Sequence, residues 1–188
     1  MLHPFWKIWW LLSGWKISGN FPQEIPKLLM IVGPHTSWKD VVVGFAARSI
    51  LGIDHARFLG KKELFDGPFG WLFCWLGGTP VDRFSSNGVV EQAADLFRKN
   101  ERFLLAMSPE GTRKKVDRLR TGFYHIAKSA SVPILMVAMD FKTKTMVFAP
   151  PFLTSDNEEA DMKKILQFFA QYHGANPEFD LRHLGTND

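Results

Sequence analysis

A single cysteine, Cys74, is all that this 188-residue chain carries. That excludes an internal disulfide and any cysteine-rich zinc site. Its surroundings, Phe69-Gly70-Trp71-Leu72-Phe73-Cys74-Trp75-Leu76, predict a buried thiol rather than a nucleophile, and so few thiols suit a reducing cytoplasm. No segment supplies the roughly 20 apolar residues of a membrane-spanning helix. No stretch sets His and acidic residues at metal-ligand spacing, and neither a P-loop nor a Gly-x-Ser-x-Gly elbow occurs. Internal repeats, low-complexity tracts and linkers are lacking too, so residues 1–188 are expected to form one domain.

Charged residues make up 22 % and hydrophobic ones 46 % of the chain, which describes a globular protein and excludes a disordered one. Aromatics are abundant, with seventeen Phe and seven Trp; Phe packs cores, and Trp also favours the boundary between lipid and water. A net charge of +4 and a pI near 9.2 favour acidic partners: anionic lipid surfaces, phosphorylated substrates or nucleic acid. The opening segment, Phe5 to Trp15, is interrupted by Lys7 and lacks a small-residue cleavage site, so it does not read as a signal peptide. As a helix it sets Phe5, Ile8, Leu12 and Trp15 on one side, with Lys7 and Gly14 opposite. Residues 1–18 could then lie in a membrane interface or pack on the domain; both readings stand.

Apolar runs at 28–32, 57–59, 103–107, 133–138 and 145–149 predict strands. Helical spacing covers 38–50, 89–99 after a capping Asn87, 122–130, and 156–172 with acids at its start. The apolar stretch from Phe65 to Leu76, broken by Gly67-Pro68, fits neither period. Strands alternating with helices indicate an α/β domain with a largely parallel central sheet flanked by helices and a catalytic core over 28–150. His35 and Glu110 then fall just past the carboxyl ends of strands, where open α/β sheets bind ligands.

The chemistry concentrates at His35 and Asp40, a His-x4-Asp pattern in Gly33-Pro34-His35-Thr36-Ser37-Trp38-Lys39-Asp40. Within one helix this offset would leave the side chains about 140° apart with a rise of roughly 7.5 Å. If His35 precedes the helix, in the turn made by Gly33-Pro34, its ring can reach Asp40, which would fix the tautomer of a general base. Ser37 to Asp40 equally fits a helix capping box, with His35 a bystander. Ser108-Pro109-Glu110-Gly111-Thr112-Arg113 offers a glycine for close approach and a planar cationic fork for phosphate, or simply a helix start. Lys114, Lys115, Arg118 and Arg120 continue it as the most basic stretch, either a solvated face or an anion or membrane-surface contact. Between these segments lies Gly77-Gly78-Thr79-Pro80-Val81-Asp82-Arg83, a Gly-and-Arg turn.

Taken in order with Val132-Pro133-Ile134, these segments resemble the four motifs of the glycerolipid acyltransferase family, typified by 1-acylglycerol-3-phosphate acyltransferases. The resemblance covers residues 35 to about 140. It implies transfer of a fatty acyl group from acyl-CoA or acyl carrier protein to a glycerolipid hydroxyl. His35 would be the general base and Asp40 its orienter, without a covalent acyl-enzyme, metal or prosthetic group. Arg83 would bind the acceptor's phosphate, completed by Glu110, Gly111, Thr112 and Arg113, with Lys62 as a further contact. The chain departs from the family at Ser108, where an aromatic is usual, at Pro80 in place of a bulky residue, and at Leu135-Met136, where many members carry a second proline. The expected partners are the acyl donor, a lysophospholipid acceptor and the membrane surface, not nucleic acid. The expected location is cytoplasmic, peripheral on the inner face of the membrane. Two rivals remain: a lipid (thio)ester hydrolase in which His35 activates water, and a non-catalytic module binding anionic lipid.

Overall fold

The computed structural model describes residues 3–82 and 88–185. Seven strands form one sheet in the order β1-β7-β6-β2-β5-β3-β4: β1 Lys16–Ser18, β2 Lys27–Gly33, β3 Arg57–Lys61, β4 Gly78–Val81, β5 Phe103–Met107, β6 Ile134–Asp140 and β7 Thr145–Phe148. Only the β6–β7 pair is antiparallel. The helices are α1 His3–Ser13, α2 Lys39–Ile50, α3 Lys62–Phe65, α4 Gly70–Trp75, α5 Gly88–Lys99, α6 Gly122–Ala130 and α7 Glu158–Phe169. The expected α/β sheet is therefore present.

Its central strands are apolar on both sides because helices cover both faces. Side chains alternate along β2, so Leu29 and Ile31 join one core with Phe97, Phe123, Tyr124, Ile165 and Phe169 from α5, α6 and α7. Leu28 and Met30 join the other, with Val43 and Ala47 of α2 and Trp15. Because β2 lies between β5 and β6, with Ile31 opposite Met107 and Gly33 opposite Ala138, the loops that leave β2 and β5 emerge side by side. This adjacency builds the site.

Several expectations are corrected. The stretch Gly77–Arg83 is not simply a turn: Gly78–Val81 forms β4, pairing with β3 at the edge of the sheet, where Pro80 costs no internal ladder bond. A short strand at Lys16–Ser18 pairs with β7. The Phe65–Leu76 stretch divides into parts of α3 and α4 around Gly67-Pro68. Helix α1 ends at Gly14, whose φ of +77° turns Trp15 out of the helix and into the core, where it is buried. Phe5, Ile8 and Leu12 stay exposed. Cys74 is also exposed, contrary to the buried thiol expected, because nothing among the described residues covers the outer side of α4 around it.

Candidate active site

The turn carrying His35 is held from three directions. Asp40, in the first turn of α2, accepts the backbone N–H groups of Thr36 and Ser37 at 2.7 Å each, all on Oδ2. The same oxygen lies 3.1 Å from Nδ1 of His35. A carboxylate at the start of α2 thus ties down the turn before it and sits against the imidazole, while α2 itself starts after Trp38 with no side-chain cap. Asp40 is buried, and its other oxygen, Oδ1, has no partner.

Glu110 supplies the second anchor. Its Oε1 accepts the backbone N–H of His35 at 2.7 Å, and its Oε2 accepts the Ser108 hydroxyl at 2.7 Å. Burial pushes the Glu110 carboxyl up from its usual range, against the pull of these bonds. The resemblance placed Glu110 among the phosphate contacts; the structure places it behind the turn, buried, with its bonds directed to residues 35 and 108. Ser108, where the family's aromatic would stand, is the hydroxyl that completes this link.

The third anchor comes from the carboxyl-terminal segment and carried no sequence signal. Asn176 donates its backbone N–H to Thr36 Oγ1 at 3.0 Å and its side-chain amide to the Thr36 carbonyl at 2.9 Å. Gly174 lies so close that a Cβ there would meet the Thr36 side chain at 2.6 Å.

With Nδ1 directed at Asp40, Nε2 of His35 faces outward, where Arg113 Nε donates to it at 3.3 Å. Gly111 adopts a φ of +66°, which reverses the chain between Glu110 and Arg113 so that one side chain goes inward and the other reaches His35. Thr112 accepts the Lys114 N–H at 3.3 Å and shapes the same loop. Lys62 is exposed at the start of α3. Arg83 lies outside the described residues. Direct contacts therefore join His35, Asp40, Glu110 and Arg113. The fourth motif stands elsewhere: Pro133 and Ile134 open β6 beside Leu29, at the opposite end of the sheet from His35.

A cavity of ≈ 560 Å³ opens beside the ring and runs between α2 and the sheet. His35, Asp40, Ser108 and Arg113 line one end. Apolar side chains make up most of the wall, among them Val32, Val41, Phe45, Phe58 and Met139. Arg48 lines the wall two turns beyond Asp40, about 12 Å along the helix axis, and donates to the carbonyls of Leu76 and Asp54. Such a space accepts an extended apolar group that carries its reactive end to Nε2.

The acyltransferase family model matches residues 16–140, which takes in His35, Asp40, Ser108, Glu110 and Arg113 but not Gly174 or Asn176. The chain belongs to the acyltransferase family. Among its relatives are two bacterial proteins named 1-acyl-sn-glycerol-3-phosphate acyltransferase. It is 34 % identical to that of Escherichia coli (strain K12) over 88 residues, 43 % of this chain and 36 % of the relative. It is 29 % identical to that of Haemophilus influenzae over 134 residues, 67 % of this chain and 54 % of the relative. The matches thus span less than two thirds of these relatives' length. The fold is similar to that of a solved acyltransferase, the 1-acyl-sn-glycerophosphate acyltransferase PlsC from Thermotoga maritima. The TM-score is 0.58 at 17 % identity, covering 99 % of this chain and 79 % of that one.

Proposed function

We propose that this acyltransferase-family chain moves a fatty acyl group from a thioester, acyl-CoA or acyl carrier protein, to the hydroxyl of a lysoglycerophospholipid at the inner face of a membrane. The leading acceptor is 1-acylglycerol-3-phosphate, giving phosphatidic acid. Family membership and the named relatives support this reaction class. The observation that carries the mechanism is the placement of His35, with Nδ1 on a buried carboxylate and Nε2 at the mouth of an apolar cavity.

In this mechanism the acceptor hydroxyl gives its proton to Nε2 as its oxygen attacks the thioester carbonyl. The C–S bond then breaks, and the imidazolium returns the proton to the departing thiolate. Asp40 keeps the ring in the Nδ1–H tautomer, with Nε2 free to take the proton. Arg113 exchanges its bond to Nε2 for the acceptor's phosphate, so that acceptor binding uncovers the base. Arg83 and Lys62 add to that phosphate site, and Gly111 and Thr112 shape the loop that carries Arg113. Glu110 acts through the His35 backbone. The acyl chain occupies the cavity.

Labelled thioester supplied with 1-acylglycerol-3-phosphate in lipid vesicles tests the reading, with products resolved by lipid mass spectrometry. The acylated lipid should appear, and His35→Ala should lower turnover about 10²–10⁴-fold with the fold retained. Free fatty acid without acylated lipid would instead establish a hydrolase. Transfer to neutral acceptors alone would remove the phosphate-binding role of the arginines.

A further inference from the structure

The two helical layers differ in what they show to solvent. On the α5–α6–α7 side the exposed positions are mostly charged or polar, as with Glu91 and Asp95 of α5, which both pair with Arg98. On the other side the outer surface is apolar. Among the described residues, every exposed large hydrophobic side chain apart from Ile17 and Leu153 lies on or beside α1, α2, α3 or α4. Phe5, Ile8, Leu11 and Leu12 project from α1, Trp38 and Val41 from the start of α2, and Leu64 from α3. Beside them, Phe69, Trp71 and Trp75 stand 64 %, 70 % and 52 % exposed. An apolar surface of this extent on a soluble domain marks an interaction site.

We propose that this face lies against an anionic lipid bilayer and that α4 enters the interface alongside α1. The proposal deepens the membrane association in the proposed function by naming the surface that makes it, and it adds α4 to the opening helix singled out by its sequence.

Charge selects the occupant. Helix α1 contains no acidic residue, and the acid of α2, Asp40, is buried, so the exposed charges of these two helices are Lys7 and Lys39. Around α3, Lys61 and Lys62 are balanced by Glu63 and Asp66. The helices that carry the apolar, Trp-bearing surface thus bear a net positive charge, which matches an anionic bilayer, whose headgroups meet the lysines while the indoles settle at the lipid boundary. A second copy in a two-fold interface would set that same positive charge against itself. The cavity meets this face at Val41, which is exposed and also lines the cavity, while Phe45 of α2, Phe73 of α4 and Leu76 just after it line the wall between the two helices. An acyl chain can then pass between bilayer and cavity without crossing water.

Cys74 provides the probe, since it is exposed and shares one side of α4 with Trp71 and Trp75. An environment-sensitive fluorophore attached there should brighten and shift to the blue on vesicles of phosphatidylcholine with phosphatidylglycerol. Acyl-chain-brominated lipid should quench it. In flotation of unlabelled protein, Trp71→Ser/Trp75→Ser should bind these vesicles at least about tenfold more weakly, with unchanged circular dichroism and Tm and unchanged turnover in detergent micelles. A label that stays in water, a double variant that binds as tightly as the parent, or sedimentation showing a Trp-dependent dimer without lipid would overturn the proposal. Binding is read without substrate, so a protein that inserts α4 yet transfers no acyl group refutes the reaction and leaves this surface standing.

Discussion

Asp40 directs every hydrogen bond it makes through one oxygen. Oδ2 meets two backbone N–H groups and the His35 ring, while Oδ1 is buried without a partner. Removing this side chain would therefore release the turn and the ring together. Glu110 separates the two effects more cleanly, because its bond to the turn runs through the backbone. Its folded pKa is raised, so the carboxyl loses its proton more readily in the unfolded chain. The sign follows directly: stability is greatest where both states are protonated. It falls as pH rises from the ordinary glutamate range through the folded pKa, and it levels off above it. Glu110→Gln keeps an acceptor for the His35 N–H and removes the ionisation, and the Ser108 hydroxyl can reorient toward the amide. We expect its Tm to lack this decline, so that the gap to the parent widens with pH across that window. Parallel Tm-versus-pH curves for the two proteins would show that ionised Glu110 carries no burial cost.

At the scale of elements, the site is the meeting of the loops after β2 and β5, braced by a segment from the far end of the chain. Asn176→Ala removes the amide bond to the Thr36 carbonyl and should cost about 1 kcal/mol, roughly 2–4 °C in Tm. In a transfer assay kcat should fall while the acceptor KM stays level, because the residue positions the turn and touches no substrate. A rise in KM alone would contradict that role. The sequence made the first two parts of this arrangement legible: the runs at 28–32 and 103–107 end at glycine-containing turns, and placing His35 ahead of α2 was the geometry that allowed contact with Asp40. The brace was illegible because a bond between residues 140 positions apart leaves no periodic trace. Strand β4 was missed because Gly77, Gly78 and Pro80 read as turn residues, and β1 because Lys16–Ser18 is three residues long and exposed throughout, with no apolar run to mark it. Glu110 could be recognised as important from its motif, but only burial and partners showed which way it points.

Across the whole molecule, the sheet separates a charged helical layer from an apolar one. If the apolar layer rests on lipid, amide exchange on anionic vesicles should slow along α1, the first turn of α2 and α4. Helices α5, α6 and α7 should exchange as they do in solution. Equal slowing on both layers, or slowing confined to α7, would mean a different orientation. Cys74 illustrates how this scale escapes a linear reading: a hydrophobic neighbourhood signals burial in a water-soluble domain, whereas here it lies on an uncovered side of α4. The reach of Asn176 back to Thr36 also has a consequence for the timing of biosynthesis. All seven strands have been synthesised before residue 176 leaves the ribosome, so the nascent domain can assemble its sheet while the histidine turn still lacks its last restraint. Full activity should therefore appear only once residue 176 has emerged and reached Thr36.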